Sequence, residues 1–307
     1  MSTVPACSAL SLHVPMAGSA PLAQRWWLIE SSGAWGTRPL ADSPVEWIRQ
    51  WAARSGSAAR VVLIRRAGSH PVRTHDTRQV FTFAPGDQDV MTAQVHDTTA
   101  GTQPRFAQMD LTLKPSDARW QVASVYPRFL VCTNGKRDLC CARDGRALLN
   151  AWDSLVSVQD DVWECTHLGG HRFAPTGLAV PSGYVLGRIS PDVKPWAHDG
   201  PDAFTPAEFI RGRSDLDAAA QVADVAVRSK LGFDRFTDIT SCAVVEHRSG
   251  NAYAPLASST VEVTDYTGNR WHVHLREEDV DHVVASCGSP GKHQRAWVAI
   301  DIESTRS

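Results

Sequence analysis

The decapeptide ECTHLGGHRF, residues 164–173, sets two imidazoles, His167 and His171, four apart around a Gly-Gly pair. On a helix, side chains at i and i+4 share a face. Each glycine, however, costs a helix interior about 1 kcal/mol relative to alanine. The segment therefore reads as a loop bent tightly around something. Four of the seven cysteines fall between residues 132 and 165: Cys132, Cys140, Cys141 and Cys165. Cys132 and Cys141 give C-x8-C, and the histidines give H-x3-H. Cys140, adjacent to Cys141, is also capable of serving as a ligand.

Two soft thiolates and two imidazoles suit either Zn²⁺ or a [2Fe-2S] cluster. The histidine half has zinc-like spacing, whereas the cysteine spacing is longer than zinc sites favour and suits a larger two-iron object. A Gly-Gly loop also lets backbone approach such an object closely. A metal-free alternative makes Cys140 and Cys141 reactive thiols and the histidines core residues. Other chemistries lack their residues. Leu168 stands where H-E-x-x-H needs its glutamate. Cys165-Thr166-His167 is half of a Rieske pattern without the other half. C-x-x-C, Walker and GxSxG motifs are absent from the sequence.

These residues need elements to carry them. RWWLIE reads as a strand, PVEWIRQWAARSG as a helix capped by Asp42 or Ser43, and ARVVLIRR as a strand. QVFTF and FAQMDLTL read as further strands. VYPRFLVC is a strand leading into a polar turn. CCARDGRALLNAWDSLVSV is helical, with Leu148, Trp152 and Leu155 on one face and Asp138 as N-cap. This cap places Cys141 in the first turn, where helix N-H groups favour the thiolate. VWECTH is a strand, GLAVPSG and YVLGRIS a hairpin, and TPAEFIRGRSDLDAAAQVADVAVRSKLG a helix starting near Asp202 or Thr205. STVEVTDYTGNRWHVHLRE is a hairpin and RAWVAIDIE a last strand. The expected organisation is an N-terminal α/β unit over 1–118, an α/β unit over 119–232 that carries the cysteines and histidines, and a β-rich segment over 233–307. In such a unit, strand ends and helix starts share one edge, so the two ligand-bearing loops converge.

The chain has 307 residues, 43% of them apolar, with 11 tryptophans and a net charge of -2. This balance gives no reason to expect a nucleic-acid or membrane partner. No apolar run approaches the roughly 18 residues of a membrane span. The N-terminus lacks the basic and apolar regions of an export signal, and Pro5 argues against lipidation at Cys7. A cytoplasmic location and reduced thiols follow as expectations. Trp26, Trp27, Trp35, Trp47 and Trp51 are expected in the core. His272 and His274 alternate onto one strand face as surface residues. Cys165 is expected to be structural, and Cys242 and Cys287 buried and inert.

CTNGKRDLCCARDG followed by WECTHLGGHRF resembles the sucrase/ferredoxin-like family, as do RWWLIESSGAWG, VVLIRRAG and FIRGRSDLDAAAQVADVAVRSKLG. The resemblance implies a thioredoxin-like [2Fe-2S] ferredoxin domain in an α/β (α+β) protein. The C-A-x-x-G helix start of the family matches Cys141-Ala142-Arg143-Asp144-Gly145. The ligands it implies are Cys132, Cys141, His167 and His171. It implies a one-electron carrier or reductase component served by a redox partner protein or a small reductant. A structural Cys2His2 zinc site in an interaction protein is the alternative. No pair of carboxylates stands out for glycosidase work. Two imidazoles in place of two thiolates make the site less negative. The potential should rise, as in Rieske centres at roughly -150 to +300 mV against about -400 mV for plant-type clusters. Electron uptake should couple to protonation. Lys136, Arg137, Arg143 and Arg172 flank the ligands and are candidates to dock an acidic partner. Oligomeric state is left open.

Overall fold

The structure, a computed structural model, describes residues 5–67, 77–97, 106–153, 161–195, 205–250 and 256–305. One helical turn, α1 (Cys7–Leu10), precedes β1 (Trp26–Glu30), α2 (Glu46–Arg54), β2 (Arg60–Arg66), β3 (Thr77–Phe83), β4 (Met91–His96) and β5 (Gln121–Val122). Next come β6 (Phe129–Cys132), α3 (Leu139–Asp153), β7 (Val162–Cys165), β8 (Gly177–Ala179), β9 (Tyr184–Leu186), β10 (Ile210–Arg213) and α4 (Ala218–Leu231). The chain finishes with β11 (Ile239–Arg248), β12 (Ser258–Asp265), β13 (Arg270–Val283) and β14 (Lys292–Thr305). The class is mixed α/β with a β-rich C-terminal segment, as the sequence patterns predict.

Among the described residues, β1 to β10 form one ten-stranded sheet in the order β10-β9-β8-β6-β7-β2-β1-β3-β4-β5. From the centre outward, one side runs β7-β6-β8-β9-β10 and the other β2-β1-β3-β4-β5. Each half is a parallel strand-helix-strand unit, β1-α2-β2 or β6-α3-β7, extended by antiparallel strands. The sequence has no visible repeat, yet the topology repeats. The halves meet where β2 and β7 run antiparallel, with Ile64 opposite Cys165 and Arg65 opposite Glu164.

Alternation along the strands divides the core. Trp27, Ile29, Val61 and Leu63 pack under α2, and Phe129, Val131 and Ala179 under α3. Trp26, Leu28, Ile64, Leu130, Cys132 and Cys165 share the opposite core. Trp26, Trp27, Trp47 and Trp51 are fully buried, as expected, and Trp35 is nearly so. The last four strands form a separate antiparallel sheet, β11-β12-β13-β14. It packs on α4 through Val227, Val261, Val263, Val273 and Leu275.

Two segments depart from their sequence patterns. FAQMDLTL is not a strand; Phe106 and Ala107 are helical, and the Phe106 ring stacks on Trp51 at 4.7 Å and lies parallel to Trp120 at 6.0 Å. Residues 210–213 are not helical but pair as an edge strand with β9. α4 begins only at Ala218, where the Asp217 side chain accepts from the Ala220 N–H at 2.9 Å. Asp202 and Leu155 lie outside the described residues. Neither Asp42 nor Ser43 caps α2: its N-cap is Val45, without a side-chain bond, and Ser43 instead accepts from the Val45 N–H at 3.2 Å.

The junction of the two halves holds a buried ion pair. Arg65 Nη2 donates to Glu164 Oε2 at 2.6 Å, with side chains only 6% and 5% exposed. Thr133 Oγ1 donates to the same oxygen at 2.5 Å, and the guanidinium lies over the Trp35 ring at 4.0 Å. Removing one partner of a buried pair strands the other charge. Glu164→Ala is therefore expected to cost about 3–5 kcal/mol in urea unfolding, and Glu164→Gln clearly less.

Candidate metal centre

Cys132 and Cys165 end the parallel neighbours β6 and β7 and stand opposite one another in register. Parallel pairing brings both C-terminal strand ends to one edge. Between them the chain turns into α3, capped as expected: Asp138 Oδ1 accepts from the Cys140 N–H at 3.0 Å. Cys141 lies in the first turn of that helix. One turn on, a Cβ at Gly145 would collide with the carbonyl oxygen of Cys132, so only glycine lets α3 lie this close to β6. This is the physical content of the C-A-x-x-G spacing. Beyond β7, Gly169 and Gly170 take φ of +86° and +69°, and a short 3-10 turn starts at His171.

Cys132, Cys141 and His167 offer ligand atoms that all lie within 4.8 Å of one another. His167 Nδ1 is 3.9 Å from Cys141 Sγ, and its Nε2 is 3.4 Å from His171 Nδ1. On the far side of the ring, His171 Nε2 meets Ser286 Oγ at 2.7 Å and Asp138 Oδ2 at 3.4 Å. A carboxylate on the second nitrogen of a ligating histidine fixes its tautomer and orientation. Cys140 points elsewhere, toward Cys7 and Cys287 at 3.5 Å and 3.2 Å. The geometry therefore groups Cys141, not Cys140, with Cys132 and His167. Cys165 stands outside this group of donors.

The charge distribution corrects one expectation. Cys132 carries the lowered thiol, because Cys141 donates to it and His167 stabilises its anion against the cost of burial. Cys141, despite its helix start, is raised by its bond to Cys132 and by burial. Two adjacent buried thiols thus favour one shared proton. Burial lowers the pKa of His171, outweighing the pull of Asp138. Burial and the neighbouring Cys132 push Cys165 up.

The Gly-Gly loop bends around a guanidinium that its sequence context conceals. Arg211, only 1% exposed, donates from Nη1 to Gly169 O at 2.9 Å and from Nη2 to Ser19 O. Burial, with Arg172 nearby, pushes its pKa down to about 9. Arg172, Arg188 and Arg211 lie 4.6, 5.2 and 5.5 Å from the Phe173 ring centre, two residues past His171. Arg211 sits in FIRGR, which has the look of a helix, and nothing in that pattern sets it apart from Arg213. Of the other flanking cations, Arg143 pairs with Asp144 at 2.5 Å, and Lys136 lines an open cavity of about 600 Å³ with Arg65 and Arg146. His272 and His274 stay on the C-terminal sheet beside Glu262 and Thr260. Cys287, expected to be inert, instead touches Cys7, Cys140 and Asp138.

A Cβ at Gly170 would run into the Arg211 guanidinium, whereas one at Gly169 meets nothing within 4 Å. Both positions have positive φ, which costs an L-residue roughly 1–2 kcal/mol. Gly169→Ala should lose about that much in denaturant unfolding. Gly170→Ala should lose measurably more, because a buried guanidinium must also move.

No curated protein and no solved structure matches this chain. A family model does match, that of the sucrase/ferredoxin-like proteins, over residues 16–195. This span takes in both halves of the large sheet up to β9, the C-A-x-x-G helix start and the H-x3-H loop. It covers more than half of the 307 residues, and the chain belongs to the sucrase/ferredoxin-like family.

Proposed function

We propose that this protein is a one-electron carrier in which Cys132, Cys141, His167 and His171 hold a [2Fe-2S] cluster. The observation that carries the reading is the convergence of two loops. Three of the four donors lie within 4.8 Å, and His171 Nδ1 is 3.4 Å from His167. Two thiols and two imidazoles are a suitable donor set for such a group. The β6-α3-β7-β8-β9 succession, with α4 after it, supports a thioredoxin-like ferredoxin unit as its host.

When bound, the cluster supplies one-electron chemistry. The chain's own residues set the conditions. Four thiolates leave an oxidised [2Fe-2S] core with two negative charges, whereas two thiolates and two neutral imidazoles leave none. The three guanidinium groups around Phe173 add positive potential near His171. Both effects make an electron easier to add. His171 holds a proton at Nε2, between Ser286 Oγ and the Asp138 carboxylate. Charge arriving at the site strengthens that hold, so at a pH where the oxidised site has lost this proton, electron and proton uptake are linked. The donor is a redox partner protein or a small reductant, and the Lys136–Arg146 cavity beside Thr133 gives an acidic partner a place to dock. The seven free cysteines support a reducing, cytoplasmic setting. No helix among the described residues is long and apolar enough to cross a membrane.

The 4.8 Å grouping also suits one zinc ion on the same residues, a second reading in which the site is purely structural. Colour and iron separate the two. Anaerobically purified protein is expected to be red-brown, to contain about two irons and two sulfides per chain, and to show an EPR signal after dithionite. A His167→Cys/His171→Cys double variant should shift that signal and lower the potential toward about -400 mV. The wild-type potential should fall with pH by up to about 59 mV per unit. Colourless, iron-free wild-type protein would refute the electron-transfer reading.

A further inference from the structure

The side of α3's first turn away from Cys141 carries a second cluster that the first site does not use. Cys7 Sγ is 3.5 Å from Cys140 Sγ and 3.7 Å from Cys287 Sγ, and Cys140 Sγ is 3.2 Å from Cys287 Sγ. Asp138 Oδ1 closes the group, 3.8 Å from Cys7 Sγ and 3.3 Å from Cys287 Sγ. All four ligand atoms lie within 4.8 Å of one another. We propose that Cys7, Cys140, Cys287 and Asp138 form a structural Zn²⁺ site with three sulfur donors and one oxygen donor.

The distances fit. Zn–S bonds of about 2.3 Å in a tetrahedron put sulfurs about 3.8 Å apart, and a Zn–O bond of about 2.0 Å gives S···O edges of about 3.5 Å. The donors come from three remote parts of the chain: α1, the start of α3, and the loop between β13 and β14. Four donors with no further position are the pattern of a structural zinc site, and thiolate with carboxylate suits zinc better than harder or softer ions.

The alternatives leave the cluster unexplained. A Cys140–Cys287 disulfide would need the sulfurs near 2.05 Å and would leave the Cys7 thiol against a carboxylate. Asp138 stays anionic because, despite burial, the N–H groups of Cys140 and Cys287 hold its pKa down. A buried carboxylate facing thiols wants a cation beside it. A divalent ion meets this need and turns the thiols into thiolates as it binds, releasing their protons. The carboxylate divides its oxygens, with Oδ1 toward this cluster and Oδ2 toward His171. The site does not depend on what the first centre holds.

The test uses the full chain, incubated with zinc alone under thiol-reducing conditions and then desalted. Metal analysis is expected to give about one zinc per chain, and zinc-edge X-ray absorption about three sulfurs near 2.3 Å and one oxygen near 2.0 Å. Cys287→Ser should cut zinc retention at least about tenfold while leaving iron content unchanged. Cys132→Ser/His167→Ala should do the reverse. Wild type that retains no zinc overturns the proposal. So does zinc that survives Cys287→Ser and leaves with Cys132→Ser/His167→Ala, or an absorption shell of two sulfurs and two nitrogens. If Cys287→Ser does not fold, the wild-type absorption shell decides alone.

Discussion

The Asp138 carboxylate is the point on which both cysteine clusters turn. It is nearly buried, at 6% exposure, and its charge survives there because the Cys140 and Cys287 N–H groups both donate to it. As the helix cap it fixes where α3 starts. That start sends two adjacent cysteines in different directions, Cys141 to Cys132 and His167, Cys140 to Cys7 and Cys287. Its other oxygen faces His171 Nε2. One side chain therefore sets the helix register, the orientation of an imidazole and the docking of the 284–291 loop. A neutral isostere would weaken all three together, which is why no substitution at 138 isolates a single role.

Around this point the large sheet supplies the frame. Its two halves share a strand order, and the Arg65–Glu164 pair sits where they join, one residue from Ile64 and Cys165. Thr133, directly after Cys132, is tied to the same carboxylate. The loop that carries the first thiol is thus anchored to the junction of the halves rather than left to solvent. From the other side, Arg211 reaches in from the edge strand to hold Gly169. Groups from the centre of the sheet and from its β10 end meet at one strand edge.

Much of this was legible in the sequence where local chemistry decides. The β1-α2-β2 and β6-α3-β7 units follow from clear periodicity, the Asp138 cap from its position before a helical pattern, and the C-terminal hairpin from alternation around Thr267-Gly268-Asn269. The loop reading of Gly169-Gly170 rests on glycine's poor helix propensity, and both residues adopt positive φ. What escaped depends on distant contacts. FIRGR has good helix formers, but pairing with β9 and burial of Arg211 make it a strand. FAQMDLTL alternates well enough for a strand, but Phe106 is drawn between tryptophans. Cys7 and Cys287 flank most of the chain, and no spacing rule joins residues 280 apart in sequence. The depressed thiol is Cys132 rather than Cys141, because a neighbouring thiol's hydrogen bond outweighs a helix start.

The reach of the loop after β13 has a consequence for how the protein is made. Ribosomes add roughly 5–20 residues per second, so Ser286 and Cys287 emerge some seconds to tens of seconds after His171. During that interval Cys132, Cys141, His167 and His171 have all been synthesised, while the segment that supplies the wall behind His171 does not yet exist. The nascent chain therefore passes through a stage in which these four side chains are uncovered on the His171 side. Completion of the C-terminal sheet then brings Ser286 against His171 and covers that side.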